Sequence, residues 1–231
     1  MFPILLYNNV MREIIFKIDD KNSGLMIRDF LRNFGVSSAL LTKLKQDENG
    51  IKLNGKFAKA IEVLKSGDNL TINIKNSGKM PEKFECENVK VAYNDEDILV
   101  LNKPPLMPVH ESRNHRGDTL ANVAACYMES DCAFRAVYRL DRDTSGLVLI
   151  AKNELAASKL AGKIKKDYYA VVSGKFEGRG TIDLPIRRVQ ESIIERGVFD
   201  DGERAITHYE AIKTDGENTL LKLSLETGRT H

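Results

Sequence analysis

The stretch Ala136 to Lys152, A-V-Y-R-L-D-R-D-T-S-G-L-V-L-I-A-K, constrains the fold more than any other. Its second part, Gly146 to Ala151, is a short apolar run opened by glycine, and it reads as a buried strand. Its first part is a polar loop with two arginines, two aspartates, a threonine and a serine. Loops held by a rigid strand are frequent places for catalytic groups. Asp143, Thr144 and Ser145 suit hydrogen bonds within a turn. Asp141 suits that role less well. Leu140 can anchor the loop inward, while Arg139 and Arg142 flank a single carboxylate. From residue types alone, a catalytic Asp141 and a turn-forming Asp141 both remain open.

A chain of 231 residues suggests one or two domains, and 42% apolar with 29% charged residues is an ordinary globular composition. No apolar run approaches the roughly 20 residues of a membrane helix, so no membrane association is expected. The opening M-F-P-I-L-L-Y is apolar but short and lacks a basic leader, so a secretory signal is not expected. Met11 is an alternative start, because patterned sequence begins at Glu13. Cys86, Cys126 and Cys132 are odd in number and match no metal or redox spacing. A cytoplasmic location and no metal site are therefore expected. Residues 1–80 carry 13 Lys and Arg against 8 Asp and Glu, whereas residues 81–231 carry 22 against 25. That asymmetry favours a polyanion as partner of the N-terminal part, although a solvated basic face explains it about as well.

Glu13 to Asp19 alternates as a strand. Met26 to Phe34 reads as a helix with Ile27, Phe30, Leu31 and Phe34 inward, and Gly35 as its C-cap. Ser37 or Ser38 can cap a second helix through Lys45, with Leu40, Leu41 and Leu44 inward. Strands follow at Ile51 to Leu53 and Leu70 to Ile74, with turns at Asn54-Gly55 and Gly67-Asp68. This order resembles the alpha-L RNA-binding domain over residues 13–76. The residues carrying the likeness are Arg28 to Leu31, Ser37 to Lys45, Leu53-Asn54-Gly55-Lys56 and Gly67-Asp68. Outward Arg28, Arg32, Lys43, Lys45 and Lys56 would meet phosphates. Asn76 to Pro81 has linker composition, and residues 77–88 are expected as the linker. Beyond them, Ile98 to Leu101 reads as a strand, Thr119 to Tyr127 as a helix, and Glu154 to Lys166 as a helix capped by Asn153. Further strands are expected at Tyr168 to Val172, Ile182 to Ile186, Ala205 to Ile212 and Leu220 to Leu225. The whole is expected to be α+β, with a mixed, largely antiparallel sheet in the larger domain, residues 89–231.

Residues 89–231 also resemble the catalytic domain of RNA pseudouridine synthases of the RluA type. The matching motifs are Asn102-Lys103-Pro104 with Pro108-Val109-His110, then Arg139 to Gly146, then Lys166-x-Tyr168-x-Ala170-x-Val172. Asp183-x-Pro185-Ile186, Ala205-x-Thr207-x-Tyr209 and Thr227 to His231 follow in order. The resemblance implies isomerisation of uridine within RNA, ribosomal RNA most often and transfer RNA in some cases, by a monomer that needs no cofactor. It makes Asp141 the catalytic carboxylate, Arg229 its ionic partner and Tyr168 the ring that stacks on the base. It puts Arg139 and Arg142 on RNA, and Lys103 with Pro104 at a nearby wall, Lys103 also among the RNA contacts. Tyr138 stands where many members have His. The final motif normally runs past its histidine, whereas this chain stops at His231, so an incomplete catalytic domain is expected. A non-catalytic RNA-binding protein is the alternative. A glycosidase would need two opposed carboxylates, and Asp143 reads as a turn residue.

Overall fold

The computed structural model describes residues 4–8, 11–75, 78–128, 132–189 and 195–228. It divides into two compact units, Met1–Lys163 and Ile164–His231.

The first unit opens with a five-stranded antiparallel sheet and two helices. Its strands are β1 (Ile4–Asn8), β2 (Met11–Lys17), β3 (Ile51–Leu53), β4 (Lys56–Phe57) and β5 (Asn69–Lys75), in the order β1-β2-β5-β3-β4. Helices α1 (Ile27–Phe34) and α2 (Ser38–Gln46) lie between β2 and β3 in the chain. Gly35 ends α1 at φ 108°, in the left-handed region that glycine adopts without strain. Ser37 caps α2 by accepting from the Leu40 N–H. The expected inward residues are the ones buried: Ile27, Phe30 and Leu31 of α1, and Leu40, Leu41 and Leu44 of α2. Phe16 makes edge-on contacts with Phe30 at 5.3 Å and Phe34 at 4.6 Å. Two strands of this sheet were not expected, the two-residue β4 and the longer β1. The apolar Ile4–Asn8 stretch pairs antiparallel with β2, so regular structure begins ahead of Glu13.

The same core takes in a residue from far along the chain. Leu155, 4% exposed, joins the cluster of Phe16, Leu31 and Ile72. It comes from α4 (Glu154–Leu160), which is capped by the Asn153 side chain. Around this contact the Ser158 hydroxyl donates to the Gly35 carbonyl at 2.7 Å, and Lys43 pairs with Glu154 at 2.6 Å. The buried Arg12 Nη2 donates to Asp97 Oδ2 at 2.8 Å, and Asn153 Nδ2 donates to Asp97 Oδ1 at 2.7 Å. α4 is shorter than the helix expected through Lys166. It ends at Leu160, and Gly162 sits at φ 70°. Residues 82–86, expected as linker, instead pack on α3 (Leu120–Ala124). The Asn122 amide donates to the Glu82 carbonyl at 2.9 Å, and the Phe84 N–H donates to the Asn122 carbonyl at 3.1 Å. The expected helix through Tyr127 is confined to those five residues.

The rest of the first unit is a three-stranded antiparallel sheet, β6 (Lys90–Asn94), β7 (Ile98–Lys103) and β8 (Gly146–Ala151). The second unit is a five-stranded antiparallel sheet in the order β11-β10-β12-β13-β9. Its strands are β9 (Asp167–Ser173), β10 (Arg179–Arg188), β11 (Arg196–Val198), β12 (Glu203–Thr214) and β13 (Asn218–Leu225). The protein is thus α+β, with antiparallel pairing in every described sheet. No described helix is long and apolar enough to cross a membrane.

Candidate active site

Strand β8 is central to the candidate site. Leu99 and Leu101 of β7 are fully buried and pair with Ile150 and Val148 of β8. On the other edge of β8, Val137 N–H donates to the Leu149 carbonyl at 2.8 Å, and the Ala151 N–H donates to the Arg135 carbonyl at 2.9 Å. Residues 138–145 are therefore a loop closed at its base by backbone pairing. The Tyr138 hydroxyl donates to the Leu147 carbonyl at 3.0 Å across that base.

Within the loop, Leu140 is buried and holds the chain inward, as its position suggested. The Thr144 N–H donates to the Asp141 carbonyl at 3.1 Å, which closes a tight turn over 141–144. Gly146 leaves that turn at φ 131°. The Asp141 and Arg139 side chains both reach solvent. Arg142 Nε donates to Asp143 Oδ1 at 2.9 Å, and this bond lowers the Asp143 pKa and raises that of Arg142. Asp143 is thus paired within the turn and is no second carboxylate across a cleft. Arg139 lies near His110, whose ring packs edge-on against Phe134 at 5.1 Å. Burial, and then the charge of Arg139, lower the His110 pKa.

Lys103 corrects an expectation. Lys103 was expected at a wall of the site and among the RNA contacts. Its side chain is instead 0% exposed. All three N–H donors of the ammonium are taken by backbone carbonyls: Pro104 at 2.9 Å, Met107 at 2.8 Å and Arg142 at 2.9 Å. Such charge-assisted bonds contribute about 1.5–3 kcal/mol each, which offsets the desolvation of the charge. Burial lowers its pKa, while the nearby Asp143 and Asp141 raise it. Lys103 therefore holds the loop from within and does not reach RNA. The sequence carried the signal, because Lys103 is in phase with Leu99 and Leu101 along an alternating strand.

The structure brings Lys103, Arg139, Asp141 and Arg142 to this one loop region. Tyr168 belongs to the second unit, on β9, where its register partner on β13 is Leu223. Gly180, Tyr209, Leu223 and Tyr168 run across that sheet in register and share a face. A Cβ on Gly180 would lie 2.4 Å from the Tyr209 hydroxyl, so a larger residue there would displace that ring. The opposite face carries cross-strand pairs: Arg179–Glu210 at 2.7 Å, Lys222–Asp167 at 3.0 Å and Arg204–Asp183 at 2.6 Å. The first two pairs line a shallow groove of about 600 Å³. Arg229 lies outside the described residues. In the N-terminal sheet module, Arg28, Arg32, Lys45 and Lys56 are exposed. Lys43 is exposed too, but its ammonium is engaged by Glu154. Among the described residues, no group of three or more His, Cys, Asp or Glu side chains could hold a metal ion.

Comparison with known proteins agrees with this geometry. Residues 97–231 match the family model described as RNA pseudouridylate synthase. An uncharacterized RNA pseudouridine synthase of Bacillus subtilis, YjbO, is 36% identical over 90% of this chain and 77% of its own length. Ribosomal large subunit pseudouridine synthase D of Buchnera aphidicola is 40% identical over 71% of this chain and 54% of its own. The chain thus spans about half the length of that enzyme. Human RNA pseudouridylate synthase domain containing 1 superposes with a TM-score of 0.50 at 25% identity, over 65% of this chain and 64% of that one. The matched region contains the whole 138–145 loop, β8 and the sheet of the second unit, and on this ground the chain belongs to the RluA-type RNA pseudouridine synthase family.

Proposed function

We propose that this protein isomerises uridine to pseudouridine in RNA, with Asp141 as the catalytic carboxylate. The observation that carries the reading is the loop: an exposed carboxylate on a tight turn, closed at its base by β8 and pinned from inside by Leu140 and Lys103. Such a turn presents one side chain to substrate in a fixed place, which is what chemistry on carbon requires. The reaction breaks the N1–C1′ bond of uridine and forms a C5–C1′ bond. The proton on C5 leaves, and N1 gains one from solvent, so atoms and electrons balance. No net oxidation or hydrolysis occurs, and a carboxylate suffices to stabilise or capture the electron-poor sugar or base. By resemblance to the family, Tyr168 takes the role of the ring that stacks on the base and Arg229 that of the cationic partner of the carboxylate. Arg139 and Arg142 border the loop and meet the RNA.

A stacked base cannot reach such a site. It must be flipped out, at a few kcal/mol, unless it already lies in a loop. Single-stranded or looped ribosomal RNA is the substrate that best fits the relatives named for large-subunit modification. Arg28, Arg32, Lys45 and Lys56 of the N-terminal module supply sequence-independent affinity for its phosphates. A non-catalytic RNA-binding role is not favoured, because nothing in binding alone calls for an exposed carboxylate fixed on a tight turn. Carbodiimide mapping of ribosomal RNA from cells with and without the gene tests the proposal. At least one pseudouridine should vanish on deletion. An unchanged map, for transfer RNA as well, would sink it.

A further inference from the structure

We infer that Phe57 is a stacking platform for one unpaired RNA base, with Lys52, Lys56 and Lys59 placed around it for the neighbouring phosphates. The inference deepens the reading of the N-terminal module as an RNA-binding surface and rests on it.

The sheet register builds the platform. Phe57 of β4 lies opposite Lys52 of β3, Lys52 opposite Thr71 of β5, and Thr71 opposite Ile15 of β2. Partners in register share a face, so the four form one row. The alternate positions Phe16, Ile51, Leu70 and Ile72 enter the core with α1 and α2. The row therefore lies on the face turned away from the helices, whereas Arg28, Arg32 and Lys45 belong to the helices themselves. Phe57 ends the row on the outermost strand and is 54% exposed. Lys56 and Lys59 are exposed, and Lys52 is partly buried. None of the three lysines has an ion-pair partner among the described residues. The nearby acids are engaged: Asp47 pairs with Lys75 at 2.6 Å, and Glu62 accepts from the Lys59 N–H at 2.6 Å.

A single exposed phenylalanine is ordinary. An exposed ring beside three uncompensated cations is a different matter, because it offers apolar area where a polyanion is drawn. Single-stranded RNA meets both demands: its phosphates neutralise the lysines and its bases stack on the ring. A base inside a helix has both faces covered by its neighbours, so the platform takes unpaired nucleotides. Every base has a π-face, so the platform adds affinity without reading sequence.

The test uses the full chain with two probes: a short oligouridylate, and an abasic ribose-phosphate oligomer of the same length that keeps the phosphates and lacks the bases. Dissociation constants are measured across a salt series for wild type, Phe57→Ala, Phe57→Trp and Lys56→Gln, with folding checked by circular dichroism. Phe57→Ala should lose about tenfold on oligouridylate, with the salt slope unchanged, and nothing on the abasic oligomer. Lys56→Gln should instead lower the salt slope by about 0.7 on both probes. The chain contains no tryptophan, so Phe57→Trp places a lone indole at the platform. Its emission should be quenched by oligouridylate and not by the abasic oligomer, and this variant decides the matter if the alanine variant does not fold. Equal affinity of wild type and Phe57→Ala for oligouridylate, an equal loss on both probes, or equal quenching by both overturns the inference. A wild-type dimer in sedimentation that Phe57→Ala abolishes, with oligouridylate binding unchanged, assigns the ring to a second copy of this chain and overturns it as well. If wild type binds neither probe, the RNA-binding reading fails and the inference fails with it. If wild type binds oligouridylate and Phe57→Ala binds it equally well, only the inference fails.

Discussion

Leu155→Ala should loosen the N-terminal module and the catalytic strand together. Leu155 directly follows the first residue of α4, which closely follows β8, yet its side chain is 4% exposed and sits in the core built by β2, α1, α2 and β5. Truncation removes the transfer free energy of the lost methyl and methylene groups and leaves a cavity. Together these lower stability by about 2–5 kcal/mol. At about 2–4 °C per kcal/mol for a unit of this size, the melting temperature of the first unit should fall by roughly 4–20 °C. Leu160, at the far end of α4, is only partly buried, and Leu160→Ala should lower stability by about 1 kcal/mol or less. Thermal unfolding gives the magnitudes. Hydrogen exchange read by mass spectrometry gives the location: amides of α1 (Ile27–Phe34) and of β8 should both lose protection in Leu155→Ala. If α1 exchange is unchanged, or if the loss of stability is below that of Leu160→Ala, the shared core is wrong and the module hangs on its connection alone.

Two further outcomes follow from the N-terminal module. Replacing Arg28, Arg32, Lys45 and Lys56 by glutamine should reduce the slope of log affinity against log salt by up to about 0.7 for each phosphate no longer neutralised, whereas Lys43→Gln should change it least because Lys43 pairs with Glu154; equal slopes in a salt titration would remove the module from RNA binding. The Asp68 pKa is lowered, first by the Asn54 amide at 2.8 Å and then by the Lys65 N–H at 2.8 Å. A lowered carboxyl pKa contributes stability that is present above the unfolded value of 3.8 and lost as pH falls through the folded value. Wild type should therefore lose melting temperature more steeply than Asp68→Asn as the buffer is taken below pH ~4, and parallel curves would contradict the assignment.

Much of this molecule is legible in its residues, and the exceptions have physical reasons. The period-two and period-3.6 patterns locate β2, α1, α2, β7, β8, β9, β10, β12 and β13, because each carries an alternating or one-sided apolar pattern. The caps at Ser37, Gly35 and Asn153 act as their chemistry suggests. Short elements escape: β4 has two residues and β11 three, too few for a period. α4 ends early because Ala161 turns extended and Gly162 takes a left-handed backbone, although Ile164 continues the apolar spacing. Residues 82–86 were expected within the linker, but hydrogen bonds to the buried Asn122 hold them in place. At the site, Asp141 stood out through its neighbours. The role of Lys103 did not, since lysine is seldom buried, and only the strand alternation hinted at it. Its three carbonyl partners are a tertiary fact that no local pattern encodes.

The central claim is that Asp141 performs the chemistry, and it meets its most direct test in one comparison. Wild type and Asp141→Asn are incubated with large-subunit ribosomal RNA, and pseudouridine is quantified by carbodiimide mapping alongside RNA affinity. The account predicts no detectable pseudouridine from Asp141→Asn, with RNA affinity within about twofold of wild type, because the substitution alters one carboxylate and leaves the basic groups of the loop and module in place. Formation of pseudouridine by Asp141→Asn at the wild-type rate would contradict it.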